Sequence, residues 1–134
     1  MAKPPRKPTA AKQPPEPLES HADIDDWIRR VMPDLHPIVE GLDRSIRERV
    51  RGPRYAVKWK KAYYGTTELG WVIELVAYDV SVNVVFLGGA DFDHPPPLGD
   101  TDRSRYVKVR SMDEAQSSDM EKWIAQAGTV PGWS

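Results

Sequence analysis

The spacing of apolar residues turns from helical to strand-like at Gly52-Pro53, and that change limits the folds open to this chain. Before it, Ile24, Trp27, Ile28 and Val31 recur at helical intervals, as do Leu35, Ile38, Val39, Leu42, Ile46 and Val50. After it, Tyr55, Val57 and Trp59 alternate with Ala56, Lys58 and Lys60, the two-residue period of a strand. Ser20 to Asp23 has capping-box spacing at the start of the first helix. Pro33 stops that helix, Asp34 is placed to cap the second, and Gly52-Pro53 ends the second. Three more strands follow, Leu69 to Ala77, Val80 to Leu87 and Arg105 to Arg110. A last helix runs from about Asp113 to Ala127, with Ser111 as its cap and Met120, Trp123, Ile124 and Ala127 as its stripe. The predicted order is α-α-β-β-β-β-α. Short connections make the strands antiparallel, and three amphipathic helices need one sheet face to cover. The predicted fold is an α+β two-layer sandwich: an antiparallel sheet of about four to five strands with helices on one face.

Residues 1–20 read differently. Six prolines interrupt any regular structure, and Leu18 is the only large apolar residue after Met1. The expectation is a disordered, basic, Pro-rich tail over residues 1–20 and a single domain over 21–134. Lys and Arg total 19 against 20 Asp and Glu, a balance that argues against a nucleic-acid binder. The absence of cysteine removes disulfides, thiolate catalysis and Cys-based metal sites. No apolar run approaches the roughly 18 residues of a membrane span, and the N-terminal segment has no secretory signal. A cytoplasmic location is expected.

An ordered series of short motifs runs through residues 23–127. A helical pair leads into Val57-Lys58-Trp59; Val82-Asn83-Val84-Val85-Phe86 precedes Gly88-Gly89-Ala90; and Tyr106-Val107-Lys108-Val109-Arg110-Ser111 leads into the final helix. In order and spacing this series resembles the YdhG-like domains, a bacterial family of domains of unknown function. The resemblance implies a frataxin-like sandwich, and some relatives are described as iron chaperones. The chain departs from the family pattern after the Lys-Trp strand, where Lys60-Lys61-Ala62-Tyr63-Tyr64 stands in place of an early proline.

Alternation separates the two faces of the predicted sheet. Tyr55, Val57, Trp59, Trp71, Ile73, Leu75, Val80, Val82, Val84, Phe86, Val107 and Val109 fall on the face expected to pack against the helices. Lys58, Lys60, Val72, Glu74, Val76, Tyr78, Ser81, Asn83, Val85, Tyr106, Lys108 and Arg110 fall on the other. An exposed sheet face is normally polar, whereas this one mixes valines and tyrosines with four basic groups. Either the 91–104 loop covers it, or it binds a protein or a small anionic ligand through Lys58, Lys60, Tyr78, Asn83, Tyr106, Lys108 and Arg110. An iron-chaperone reading would instead use Asp23, Asp25 and Asp26, hard oxygen ligands suited to weak iron binding. Acids in a first helical turn are also favoured by the helix dipole with no metal present. No nucleophile elbow, phosphate loop or His-x-x-x-His pair occurs. The reading is therefore a non-enzymatic binding or interaction module with no cofactor and no membrane partner.

Overall fold

The computed structural model describes residues 12–134. Two helices come first, α1 (Ala22–Arg30) and, after a 3-10 turn at Pro33–Leu35, α2 (His36–Arg49). Five strands follow, β1 (Arg54–Lys58), β2 (Lys61–Thr66), β3 (Gly70–Ala77), β4 (Val82–Phe86) and β5 (Arg105–Val109). They form one antiparallel meander in the order β1-β2-β3-β4-β5. The chain closes with α3 (Met112–Ala115) and α4 (Ser118–Ala127). The α+β layout is as expected, and the helical stripes are buried where periodicity put them: Ile24, Trp27, Ile28, Leu35, Ile38, Val39, Leu42, Ile46 and Val50 all lie in the main core.

Four local readings need correction. First, β2 takes the place of the expected turn region. Ala62 and Tyr64 enter the main core while Tyr63 enters a second cluster, with Ala56 and Trp71, on the opposite face. Second, the last helix is broken. Ser111 Oγ accepts from the Glu114 amide at 3.1 Å, and Ser117 Oγ starts α4 by accepting from Met120 at 3.1 Å. Third, neither expected cap forms: α1 has His21 at its N-cap with no side-chain capping bond, and Asp34 makes none and lies inside the 3-10 turn. Fourth, the face assignment fails at Trp59, Trp71, Val72 and Val80. Tyr64 pairs with Ile73 but Gly65 pairs with Trp71, so Val72 is an extra residue in β3. This β-bulge sends Val72 into the main core beside Ile73 and turns Trp71 to the outer cluster. Val80 lies in the β3–β4 turn and is exposed.

Trp59 was expected in the core but lies outside it. It and Lys60 form the two-residue turn between β1 and β2, with φ of 54° and 63°. Two left-handed residues define the hairpin turn whose twist suits antiparallel strands. The Trp59 ring lies on the outer side, stacked on Trp133 at 6.3 Å between centroids.

Of the expected tail, residues 1–11 lie outside the described residues. Residues 15–18 are docked. Leu18 and Tyr55 exchange two backbone hydrogen bonds, of 3.0 and 2.8 Å, and Trp71 Nε1 donates to the Pro15 carbonyl at 3.0 Å. At about 1 kcal/mol for each bond, deletion of residues 1–19 should lower the melting temperature by about 5–10 °C. A shift within about 2 °C would mean that this docking adds no stability.

Candidate functional site

The outer face is laid out by cross-strand register. One row runs Ala56, Tyr63, Glu74, Val85, Tyr106, each directly opposite the next across all five strands. Beside it, Lys58 faces Lys61 across β1–β2, Val76 faces Asn83, and Asn83 faces Lys108. The register therefore brings together residues from opposite ends of the sequence.

The Tyr63, Glu74, Val85 and Tyr106 part of the first row floors a hollow of ≈ 650 Å³. Its rim is the 97–101 loop and Trp133, and Tyr63, Glu74 and Tyr106 line it. The loop is held by a backbone bridge between Leu98 and Tyr106, with bonds of 3.1 and 2.9 Å. Glu74 is 9 % exposed, with Lys61 Nζ at 3.8 Å. Burial first, and the Glu74 charge and hydrogen bond next, push the Tyr63 hydroxyl far above its ordinary value of 10.0. The loop thus covers the Tyr106 end of the face and leaves the Lys58 end open.

At the open end three lysines rest on aromatic rings. Lys108 Nζ donates to Asn83 Oδ1 at 2.8 Å and stands 5.0 Å from the Tyr78 ring centre. Lys58 Nζ stands 5.0 Å from the Trp59 ring centre, and Lys12 approaches the same ring to 4.6 Å. Such contacts fix an ammonium without neutralising it. The seven residues expected to bind are accordingly divided. Lys58, Lys60 and Tyr78 line a second concavity at the end of the sheet, Asn83 and Lys108 adjoin it, and Tyr106 lies under the loop. Arg110 lies apart at the start of α3, its backbone amide donating to Glu114 Oε1 at 2.6 Å.

The acids of α1 do not converge. Asp23 is exposed, Asp25 meets His21 Nδ1 at 3.0 Å, and Asp26 pairs with Arg29. Among the described residues, no group of three or more His, Cys, Asp or Glu side chains is placed to hold a metal ion. A different polar centre, absent from the sequence reading, lies under α1 and α2. Asp43 accepts from the Tyr64 hydroxyl at 2.7 Å and lies 2.8 Å from His21 Nε2. Both imidazole nitrogens therefore face carboxylates, which leaves His21 no free nitrogen for a substrate.

Tyr64 is also pushed well above 10.0, by burial and then by the Asp43 charge and hydrogen bond. A phenol held neutral in the fold stabilises it fully below pH 10, and that stability is lost as the unfolded chain ionises at higher pH. Stability should fall above pH 10 by up to about 1.4 kcal/mol per pH unit for each of Tyr63 and Tyr64. Urea unfolding from neutral pH to about pH 11 measures it, and Tyr64→Phe should flatten the slope. An unchanged slope would refute the assignment.

No protein-family model, curated protein or solved structure matches this chain. Among the described residues, no helix is long and apolar enough to cross a membrane.

Proposed function

We propose that this chain is a non-enzymatic binding module that takes an anionic protein partner on the open end of its outer sheet face. The reading joins the YdhG-like sequence resemblance to one observation. Lys58 and Lys108 are held against aromatic rings and, among the described residues, neither is ion-paired. Fixed, unpaired ammonium groups beside exposed aromatic surface offer both charge and area to a partner.

An NMR titration of the full chain with poly-glutamate tests the reading. Amides around Lys58, Tyr78, Asn83 and Lys108 should shift, and the Lys58→Glu/Lys108→Glu variant should lose the response with little change in its melt. Asp23→Asn should keep the response and weaken the fold by about 0.3–1 kcal/mol through the helix dipole. Shifts confined to the α1 acids, or no shifts at all, would refute it.

A further inference from the structure

The end of the sheet that carries Lys58 also gathers most of the large apolar side chains that are exposed among the described residues. Six large apolar side chains are exposed among the described residues. Four of them, Met32 (48 %), Trp59 (38 %), Tyr78 (50 %) and Val80 (74 %), line one groove of ≈ 910 Å³. Single exposed apolar residues are ordinary, but four in one concavity mark an interaction surface. The end of α1, with Trp27, Val31 and Met32, forms one wall, and the two hairpin turns at 57–60 and 77–80 form the other. The charged residues in its lining are Arg30, Lys58 and Lys60, against Asp79 alone.

The β1–β2 turn gives a second, independent sign. Its two left-handed positions favour Asn-Gly, yet Trp59 and Lys60 occupy them. Left-handed backbone in side chains of this size is strained and persists where surrounding structure holds it. Here Trp27 Nε1 donates to the Lys60 carbonyl at 3.0 Å. The turn thus keeps residues poor for folding at the positions that give the groove its indole and one of its ammonium groups.

We propose that the groove seats an acidic amphipathic peptide segment of a protein partner. Apolar side chains of the segment pack against Met32, Trp59 and Val80, and its carboxylates meet Arg30, Lys58 and Lys60. The proposal rests on the outer-face reading for its charge and adds the anchor. The chain's own residues 1–11 have the wrong charge, with Lys3, Arg6 and Lys7 and no acid. A flat bilayer does not fill a two-walled concavity, whereas an amphipathic helix laid in a groove does.

Panning a displayed library of short random peptides against the full chain tests the proposal. Enriched peptides should combine large apolar residues with Asp or Glu. Each should lose about tenfold or more in affinity for Val80→Asp and for Met32→Ser, the size of effect seen at interface anchors. Both residues are exposed, so neither variant endangers the fold. Binding should also weaken with added salt, less so in Lys60→Glu. The Trp59→Asn/Lys60→Gly variant gives the turn the residues it favours. It gives up the contacts of Trp59 with Trp133 and Tyr63, so its melt is read first to show that it is folded; folded, it should still lose the peptide, which separates the site from folding. Enriched peptides that are basic, or that bind every variant like the parent, overturn the proposal. So does sedimentation of the parent, but not of Val80→Asp, with phosphatidylserine vesicles, or self-association abolished by Val80→Asp. If poly-glutamate binds while no peptide depends on Met32 or Val80, the groove fails and the outer-face reading stands. If neither probe binds, both fail.

Discussion

Replacing Asp43 by alanine is expected to destabilise this chain by about 3–5 kcal/mol, the range for breaking a buried charged network at one member. Asp43 is 6 % exposed and its carboxylate joins three elements. Tyr64 of β2 donates to it at 2.7 Å, His21 ahead of α1 lies 2.8 Å away, and Arg47 of α2 lies 3.5 Å away. Without it, the Tyr64 hydroxyl sits fully buried with no acceptor, and an unpaired buried donor costs about 1–3 kcal/mol by itself. His21 then keeps only Asp25, on an exposed helix turn. Arg47 contributes little, because it is half exposed and its contact is long. Tyr64→Phe should cost less, about 1–2 kcal/mol, since it removes donor and hydroxyl together. A double-mutant cycle by urea unfolding should show coupling between positions 43 and 64. A loss below about 1 kcal/mol for Asp43→Ala would show that water replaces the carboxylate and that the network does not hold the layers together.

What the sequence made legible follows from how local each signal is. The stripes of α1 and α2 are local and strictly periodic, and all their residues but the half-buried Val31 are buried as the period requires. Lys58 and Lys108 were placed on the outer face by alternation within short strands free of irregularity. β2 escaped notice because Ala62, Tyr63, Tyr64 and Gly65 are all buried, on two faces, so no polar alternation marks it. Trp71 was misplaced because one bulged residue reverses every parity on its far side, and nothing in the sequence around Val72 announces the bulge. Trp59 was misplaced because alternation was carried past Lys58 into a turn that lacks its usual Asn-Gly. The groove was hidden for a broader reason. Its walls come from residues 27–32, 57–60 and 77–80, brought together by the register of the sheet and by the packing of α1 on it. Exposure of Met32 and Val80 is a property of that assembly and has no local signature.

The C-terminal segment supplies the other large expected effect. Gly132→Ala should cost about 3–4 kcal/mol and lower the melting temperature by about 10–15 °C. Gly132 donates to the Leu69 carbonyl at 2.8 Å, and Trp133 exchanges two backbone bonds with Trp71, of 2.8 and 2.9 Å. These three bonds strap residues 132–133 across the end of β3. A Cβ at position 132 would overlap the Trp71 carbonyl oxygen and stand 2.8 Å from its carbon. Both obstacles are backbone in a paired strand, so the strap must lift away and all three bonds go with it. Trp133 then leaves Tyr63 and Trp59, removing the rim of the hollow over Glu74 and the stacking partner of the groove's indole. Gly52→Ala is the matched control. Its φ is +58° but nothing lies within 4 Å of the added methyl, so only the conformational cost of about 1 kcal/mol remains. Thermal melts of the two variants, with tryptophan emission as a second probe, decide the matter. Gly132→Ala should melt well below Gly52→Ala and emit further to the red. Equal melts would show that the strap carries no stability and that the outer aromatic cluster stands without it.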